Sequence, residues 1–179
     1  MFVRTRRLTL RPGWPEDAPA LARAIADQGI VMMLSRAPWP YGLADAQAFL
    51  ASAAPVDEPR FLIFEHCGDR PELVGGIGVH RDDAGTRELG YWLSTGARGR
   101  GLMTEAGRAV LTSLHASLGI RHLVAGHFID NPASARLLAR LGFTPTGDVR
   151  PRLCLARGHD VGCVLHEWHA TSRERAIAA

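Results

Sequence analysis

The chain has 179 residues, 46% of them hydrophobic, and a formal net charge of +3. That length and apolar content suffice for one substantial core, and the sequence has no run of about eighteen apolar residues that would make a membrane-spanning helix. All 21 basic residues are arginine, and a positive surplus this small, spread along the chain, argues against nucleic acid as a direct partner.

The N-terminal stretch MFVRTRRLTLRP is basic but lacks the apolar segment of a secretory signal. Alternation in RRLTLRP predicts a first strand with Leu8 and Leu10 on one face. WPEDAPALARAIADQ predicts a helix. Pro15 stands at its start, Glu16 and Asp17 lie in its first turn, and Ala18, Leu21, Ala22 and Ile25 form a stripe. SRAPWPYG is a loop punctuated by Pro38, Pro40 and Gly42. LADAQAFLASA predicts a second short helix, striped by Leu43, Ala46, Phe49 and Leu50.

Three strands follow. RFLIFEHC is apolar on both faces and so reads as central. ELVGGIGVH comes after the turn residues Gly68, Asp69 and Pro71, and RELGYWL after the turn DDAGT, which includes Asp83. Connections this short predict antiparallel pairing. A long helix places Leu102, Ala106, Val110, Leu114 and Leu118 on one face, with Glu105, Arg108, Thr112 and His115 opposite. HLVAGHF is a further strand. DNPASARLLARLGF is a helix that Asp130 or Asn131 caps, Pro132 starts and Gly142 stops. Val149 to Ala170 reads as a hairpin turning near Gly158-His159. The order β-α-α-β-β-β-α-β-α-β-β predicts one α/β (α+β) domain over residues 1–179, without repeats or linkers.

The stretch LSTGARGRGLMTEA carries the chemistry. A glycine-rich turn between a strand and a helix N-terminus gathers free N–H groups at the positive end of the helix dipole, which suits phosphate, and Arg98 and Arg100 add full charges. A Walker loop is excluded because the chain has no lysine. A dinucleotide fingerprint is excluded because Gly99-Arg100-Gly101 lacks the third glycine, and the strand HLVAGHF lacks the acidic residue.

Arg98-Gly99-Arg100-Gly101-Leu102-Met103 resembles the R/Q-x-x-G-x-G/A acetyl-CoA motif of the GNAT acyltransferase superfamily. With LGYWLSTGARGRGLMTEA, DNPASARLLARLGF, RRLTLRP and APWPYGLADAQAFL in this order, the chain is similar to the branch of RimJ/RimL-type N-acetyltransferases. The likeness covers nearly the whole chain. It departs at Met103, where the motif usually has Gly or Ala. The resemblance implies a mostly antiparallel, splayed mixed sheet flanked by helices, open between the fourth and fifth predicted strands, Arg87–Leu93 and His122–Phe128. It also implies acetyl-CoA as cosubstrate, transfer to an amine acceptor in a ternary complex, and no metal. A protein or peptide N-terminal amine is the expected acceptor. A small-molecule amine and a non-catalytic CoA-binding sensor are the alternatives.

On that resemblance Gly99, Gly101, Leu102, Met103 and Thr104, with Arg98 and Arg100, hold the pyrophosphate. The backbone of Tyr91, Trp92 and Leu93 pairs with the pantetheine arm like an added strand. Asn131 is a helix cap that also contacts this arm. Ser134 faces the buried stripe of its helix and is the candidate acid for the departing thiolate, against the alternative of a serine bonding its own helix backbone. Glu88 is the candidate base, directly or through water, against the alternatives of a solvent-facing strand glutamate or an ion pair with an arginine. Trp39, Tyr41 and His80 are assigned to the acceptor side, with His80 a second candidate base.

The remaining groups carry less. His166 and His169 alternate on a strand and do not form HExxH, so no metal site is expected. Cys67, Cys154 and Cys163 lack metal-ligand spacing. A two-residue hairpin loop would set Cys154 opposite Cys163, as packing residues rather than a disulfide. The expectation is a reduced, cytoplasmic chain, monomer or homodimer, with no membrane partner.

Overall fold

The apolar alternation of the strands closes into one sheet of the order β1-β2-β3-β4-β5-β6-β8-β7. The computed structural model describes residues 1–68, 70–82 and 84–170, so Asp69, Asp83 and the last stretch of the predicted domain lie outside the described residues. The strands are β1 (Val3–Arg4), β2 (Leu8–Arg11), β3 (Arg60–Cys67), β4 (Arg70–Arg81), β5 (Arg87–Leu93), β6 (His122–Phe128), β7 (Thr144–Cys154) and β8 (His159–His169). The helices are α1 (Ala18–Ile25), α2 (Gln28–Val31), α3 (Leu43–Ala51), α4 (Leu102–Leu118) and α5 (Pro132–Arg140). Strand β1 and helix α2 add to the predicted order. Each is too short to show a period.

Every strand pair is antiparallel except β5 with β6, which run parallel and join at a single register pair, Glu88 with Val124. Strand β3 is apolar on both faces because both are covered. Phe61 and Ile63 pack in the main core with Leu8, Leu10 and α4, whereas Leu62 and Phe64 pack with Ala18, Leu21 and Ala46 of α1 and α3. No helix among the described residues is long and apolar enough to cross a membrane.

Three expectations are corrected. His115 does not lie on the outer face of α4. It is buried, with Nδ1 3.3 Å from the Ile120 carbonyl, because the chain bends back past Gly119 at φ 63° and brings that carbonyl over the last turn. Leu43 and Phe49 of the α3 stripe are exposed, with the Arg60 guanidinium stacked 5.0 Å from the Phe49 ring centroid. The hairpin loop is longer than two residues, since Cys154 pairs with His159 and Cys163 with Arg150. The two thiols are therefore not opposite each other. Both are buried around Phe128 as unpaired packing residues.

Candidate active site

A parallel pair joined at one register position opens a cleft beyond it. Strands β5 and β6 leave their junction at Glu88 and enclose a cavity of about 340 Å³, lined by residues 88–93, by Gly126–Phe128, by the turn before α4 and by the first turns of α5. The junction is held by charge. Glu88, 4% exposed, bonds the Arg152 guanidinium from β7, and His80 Nε2 lies 3.6 Å from its other oxygen. Gly126 makes room for this pair, since a Cβ there would stand 3.3 Å from Glu88 Oε1 and 3.2 Å from Arg152 Nη1. Burial alone raises the Glu88 carboxyl. Hydrogen bonds from His80 and Arg152 and the charges of both outweigh it and bring the pKa to about 2. A carboxylate that weakly basic is a poor proton acceptor near neutrality. The structure places Glu88 in an arginine ion pair, the second of the alternatives to a base acting directly or through water, and not facing solvent.

At one end of the cleft the chain turns into α4. Gly99 and Gly101 have φ of 74° and 76°, a region that disfavours any Cβ. Gly101 is the N-cap of α4 and has no side chain to occupy the free N–H groups of the first turn. Leu102 is fully buried and Met103 is buried in the core. The bulk at Met103, the departure from the motif, is therefore absorbed by packing. Thr104 and Arg98 line the cleft. Arg98 is exposed and makes only long contacts, 3.4 Å to the carbonyls of Leu93 and Gly29, so its charge is available to an anion.

Arg100 is a correction. Its guanidinium forks onto Glu65 of β3 at 2.6 and 2.8 Å, turned away from the cleft. Its partner is buried, which fixes the fork. Its contribution is to tie the turn to the sheet. Arg7 buttresses the same turn from the side away from the cleft. Its Nη1 donates to the Arg100 carbonyl at 3.0 Å, and its Nη2 lies 3.7 Å from where a Cβ of Gly101 would be. Glu105 holds Arg7 at 2.7 Å.

At the other end Asn131 caps α5, its side chain accepting from the Ser134 N–H at 3.1 Å. The Ser134 hydroxyl does not bond back to its own helix. It meets the Tyr91 phenol at 2.5 Å. Burial pushes that phenol up to about 12 even with Ser134 as partner, so it stays protonated at neutral pH. Sequence reasoning gave Tyr91 a backbone role alone. The hydroxyl pair was hidden because its members lie 43 residues apart. The set comprises a bare helix N-terminus, an exposed arginine, a strand edge left open by the splay and a half-buried hydroxyl pair.

The sequence profile of the acetyltransferase (GNAT) domain matches residues 7–144. The chain belongs to the GNAT acetyltransferase family. Among curated relatives it is 30% identical to the ribosomal-protein-serine acetyltransferase of Escherichia coli over 102 residues, which cover 56% of this chain and 55% of that protein. It is 27% identical to the uncharacterized N-acetyltransferase YoaA of Bacillus subtilis over 159 residues, covering 83% and 86%. The match thus spans about half the length of the first relative. Among solved structures, a GNAT-family acetyltransferase of Bacillus anthracis superposes with a TM-score of 0.78 at 18% identity, covering 94% and 98% of the two chains. The acetyltransferase RimL, solved with coenzyme A, gives 0.77 at 19%, covering 94% and 98%. At these identities the structural likeness establishes the fold.

The GNAT fold places the remaining predicted residues as follows. His80 and Tyr41 line a second cavity of about 450 Å³ between α1, α3 and the sheet, and Trp92 lines both cavities. Trp39 is exposed and lines neither cavity. His166 and His169 do face apart: His166 is buried, whereas His169 is exposed. His122 pairs with His169 across β6 and β8, a neighbour that no spacing within one strand encodes. His122, Glu167 and His169 bring their ligand atoms within 4.8 Å of one another, away from the cleft.

Proposed function

We propose that this chain transfers the acetyl group of acetyl-CoA to a primary amine, with a protein or peptide N-terminal amine as the acceptor class. The observation that carries this reading is the single junction of β5 with β6, beyond which a cleft runs from the bare N-terminus of α4 to Ser134. Family membership and the relative named ribosomal-protein-serine acetyltransferase support it.

The residues fit the cosubstrate. Gly99 has open space where a Cβ would lie, so a pyrophosphate can approach the backbone N–H groups ahead of α4. Arg98 adds charge, and the backbone of Tyr91, Trp92 and Leu93 pairs with the pantetheine amides. A second binding site for the acceptor opens beside His80.

Direct transfer then needs few groups. An α-amine with a pKa of about 8 is roughly a tenth neutral at pH 7. His80, held by Glu88, takes the proton the amine loses. The amine nitrogen forms its bond to the acetyl carbon while backbone N–H groups of β5 polarise the carbonyl. The carbon–sulfur bond breaks, and Ser134 gives its proton to the departing sulfur while the Tyr91 hydroxyl relays a proton from solvent back to the serine oxygen. Tyr91 orients that hydroxyl and restrains it from competing bonds. Asn131 fixes the turn that presents it.

Loss of the Ser134 hydroxyl removes the acid without touching the pyrophosphate turn. Ser134→Ala is expected to lower kcat about a hundredfold while the acetyl-CoA KM changes by less than about threefold. Tyr91→Phe, which keeps the ring, is expected to lower kcat about tenfold. Both are read by thiol release with a peptide acceptor, with the acetylated product weighed by mass spectrometry. Full activity in Ser134→Ala would remove Ser134 from the chemistry. The chain itself has no lysine to take up acetyl in such an assay.

A further inference from the structure

The second cavity has a composition that selects among amines. Its wall toward the cleft is shared, with His80, Gly90, Tyr91 and Trp92 lining both hollows. Gly90 leaves that wall low, since a Cβ there would already meet the His80 ring at 3.4 Å. An amine nitrogen resting over Gly90 therefore touches His80 on one side and faces the cleft on the other. Whatever is attached to that nitrogen enters the second cavity.

The cavity walls are hydrocarbon and aromatic, from Leu21, Ile25, Leu34, Tyr41, Leu62 and Trp92. Its charged side chains already have partners. The Asp45 carboxylate accepts the Gly42 N–H at 2.8 Å as part of the α3 cap. Arg60 bonds Ser52 and stacks on Phe49, and Arg36 reaches the Arg81 carbonyl at 3.3 Å. Burial raises the Tyr41 phenol to about 12, so it is neutral. Among the described lining residues Asp45 is the single carboxylate, set against two arginines. A second positive charge on the acceptor would meet two arginines against this one carboxylate. An apolar group would cover apolar wall and release water.

Resting on the acetyl-transfer reading above, we propose that the acceptor is a primary amine with a bulky aryl or branched-alkyl group within two carbons of the nitrogen, seated in the cavity between α1, α3 and the sheet. A peptide that begins with a large apolar residue and a free arylalkylamine share this chemistry. Polyamines and aminoglycosides do not.

The test is thiol release at saturating acetyl-CoA with tetrapeptide amides that differ only in the first residue: phenylalanine, leucine, serine, glycine or lysine. Phenethylamine and spermidine complete the set. The apolar-first peptides are expected to exceed glycine and serine by about tenfold or more in kcat/KM, and lysine and spermidine by about a hundredfold. Phenethylamine equal to the phenylalanine peptide marks a small-amine acceptor, and a large advantage for the peptide marks a protein N-terminus. Ala48→Trp, which adds bulk to an exposed lining position of α3, is expected to erase the apolar preference while the acetyl-CoA thermal shift is unchanged. A flat profile, a preference for cations, a preference that survives Ala48→Trp, or no turnover despite a normal acetyl-CoA shift would each overturn the assignment. Absence of the shift itself would overturn the transferase reading instead.

Discussion

Gly101→Asp is expected to weaken acetyl-CoA binding by at least about a hundredfold, because it places a fixed negative charge at the helix N-terminus where the pyrophosphate must sit. The substitution separates binding from folding. Gly101 has φ 76°, a conformation that costs most residues about 1–2 kcal/mol and that Asp and Asn tolerate best. Asp is also a favourable N-cap. The variant should therefore fold and fail to bind. Gly101→Asn, of the same shape without the charge, is expected to fall between Asp and the parent. Equilibrium dialysis with acetyl-CoA reads both. Affinity within threefold of the parent in the Asp variant would mean that the turn ahead of α4 does not hold the phosphates.

Arg152→Ala is expected to lower the thermal midpoint steeply. It leaves the Glu88 carboxylate buried at the junction of β5 and β6 with only His80 nearby. Breaking a buried pair from one side costs about 3–5 kcal/mol. At about 2–4 °C per kcal/mol for a domain of this size, the midpoint falls by roughly 6–20 °C. Replacing both partners, as in Glu88→Gln with Arg152→Met, is expected to recover most of the loss, since no charge is then stranded. Circular-dichroism melts distinguish the cases, and a single variant within 2 °C of the parent would contradict the role.

The same pair sets an acid limit. The folded Glu88 carboxyl is depressed from 4.5 to about 2, so the folded state favours the ionised form. Its contribution to stability is complete above the unfolded value and is lost as pH falls from about 4.5 toward about 2. Parent melts should therefore drop across that window, and the double variant should drop less.

What the sequence disclosed and what it hid follow from range. The turn ahead of α4 was legible because glycines at positive φ, a helix start and nearby arginines are all local features. Leu8 with Leu10, and Leu102 through Leu114, were legible because burial imprints a period of two or 3.6 on neighbouring residues. Partners were not legible. Arg100 finds Glu65 at a separation of 35 residues, Arg152 finds Glu88 at 64, and Tyr91 finds Ser134 at 43. Each choice depends on which strands lie side by side. Glu88 and Arg100 were therefore given roles from motif position, whereas sheet packing assigns them to ion pairs. His80 faces Glu88 directly across β4 and β5, a register that no spacing in either strand encodes.

The measurement that tests the central claim most directly is the thermal midpoint as a function of acetyl-CoA concentration. Ligand at a hundred times its Kd adds about 2.7 kcal/mol, which for a domain of this size raises the midpoint by roughly 5–10 °C. A saturable rise of that size, with little from adenosine alone, is the predicted result. An unchanged midpoint at millimolar acetyl-CoA would contradict it and reduce the cleft between β5 and β6 to a feature of the fold.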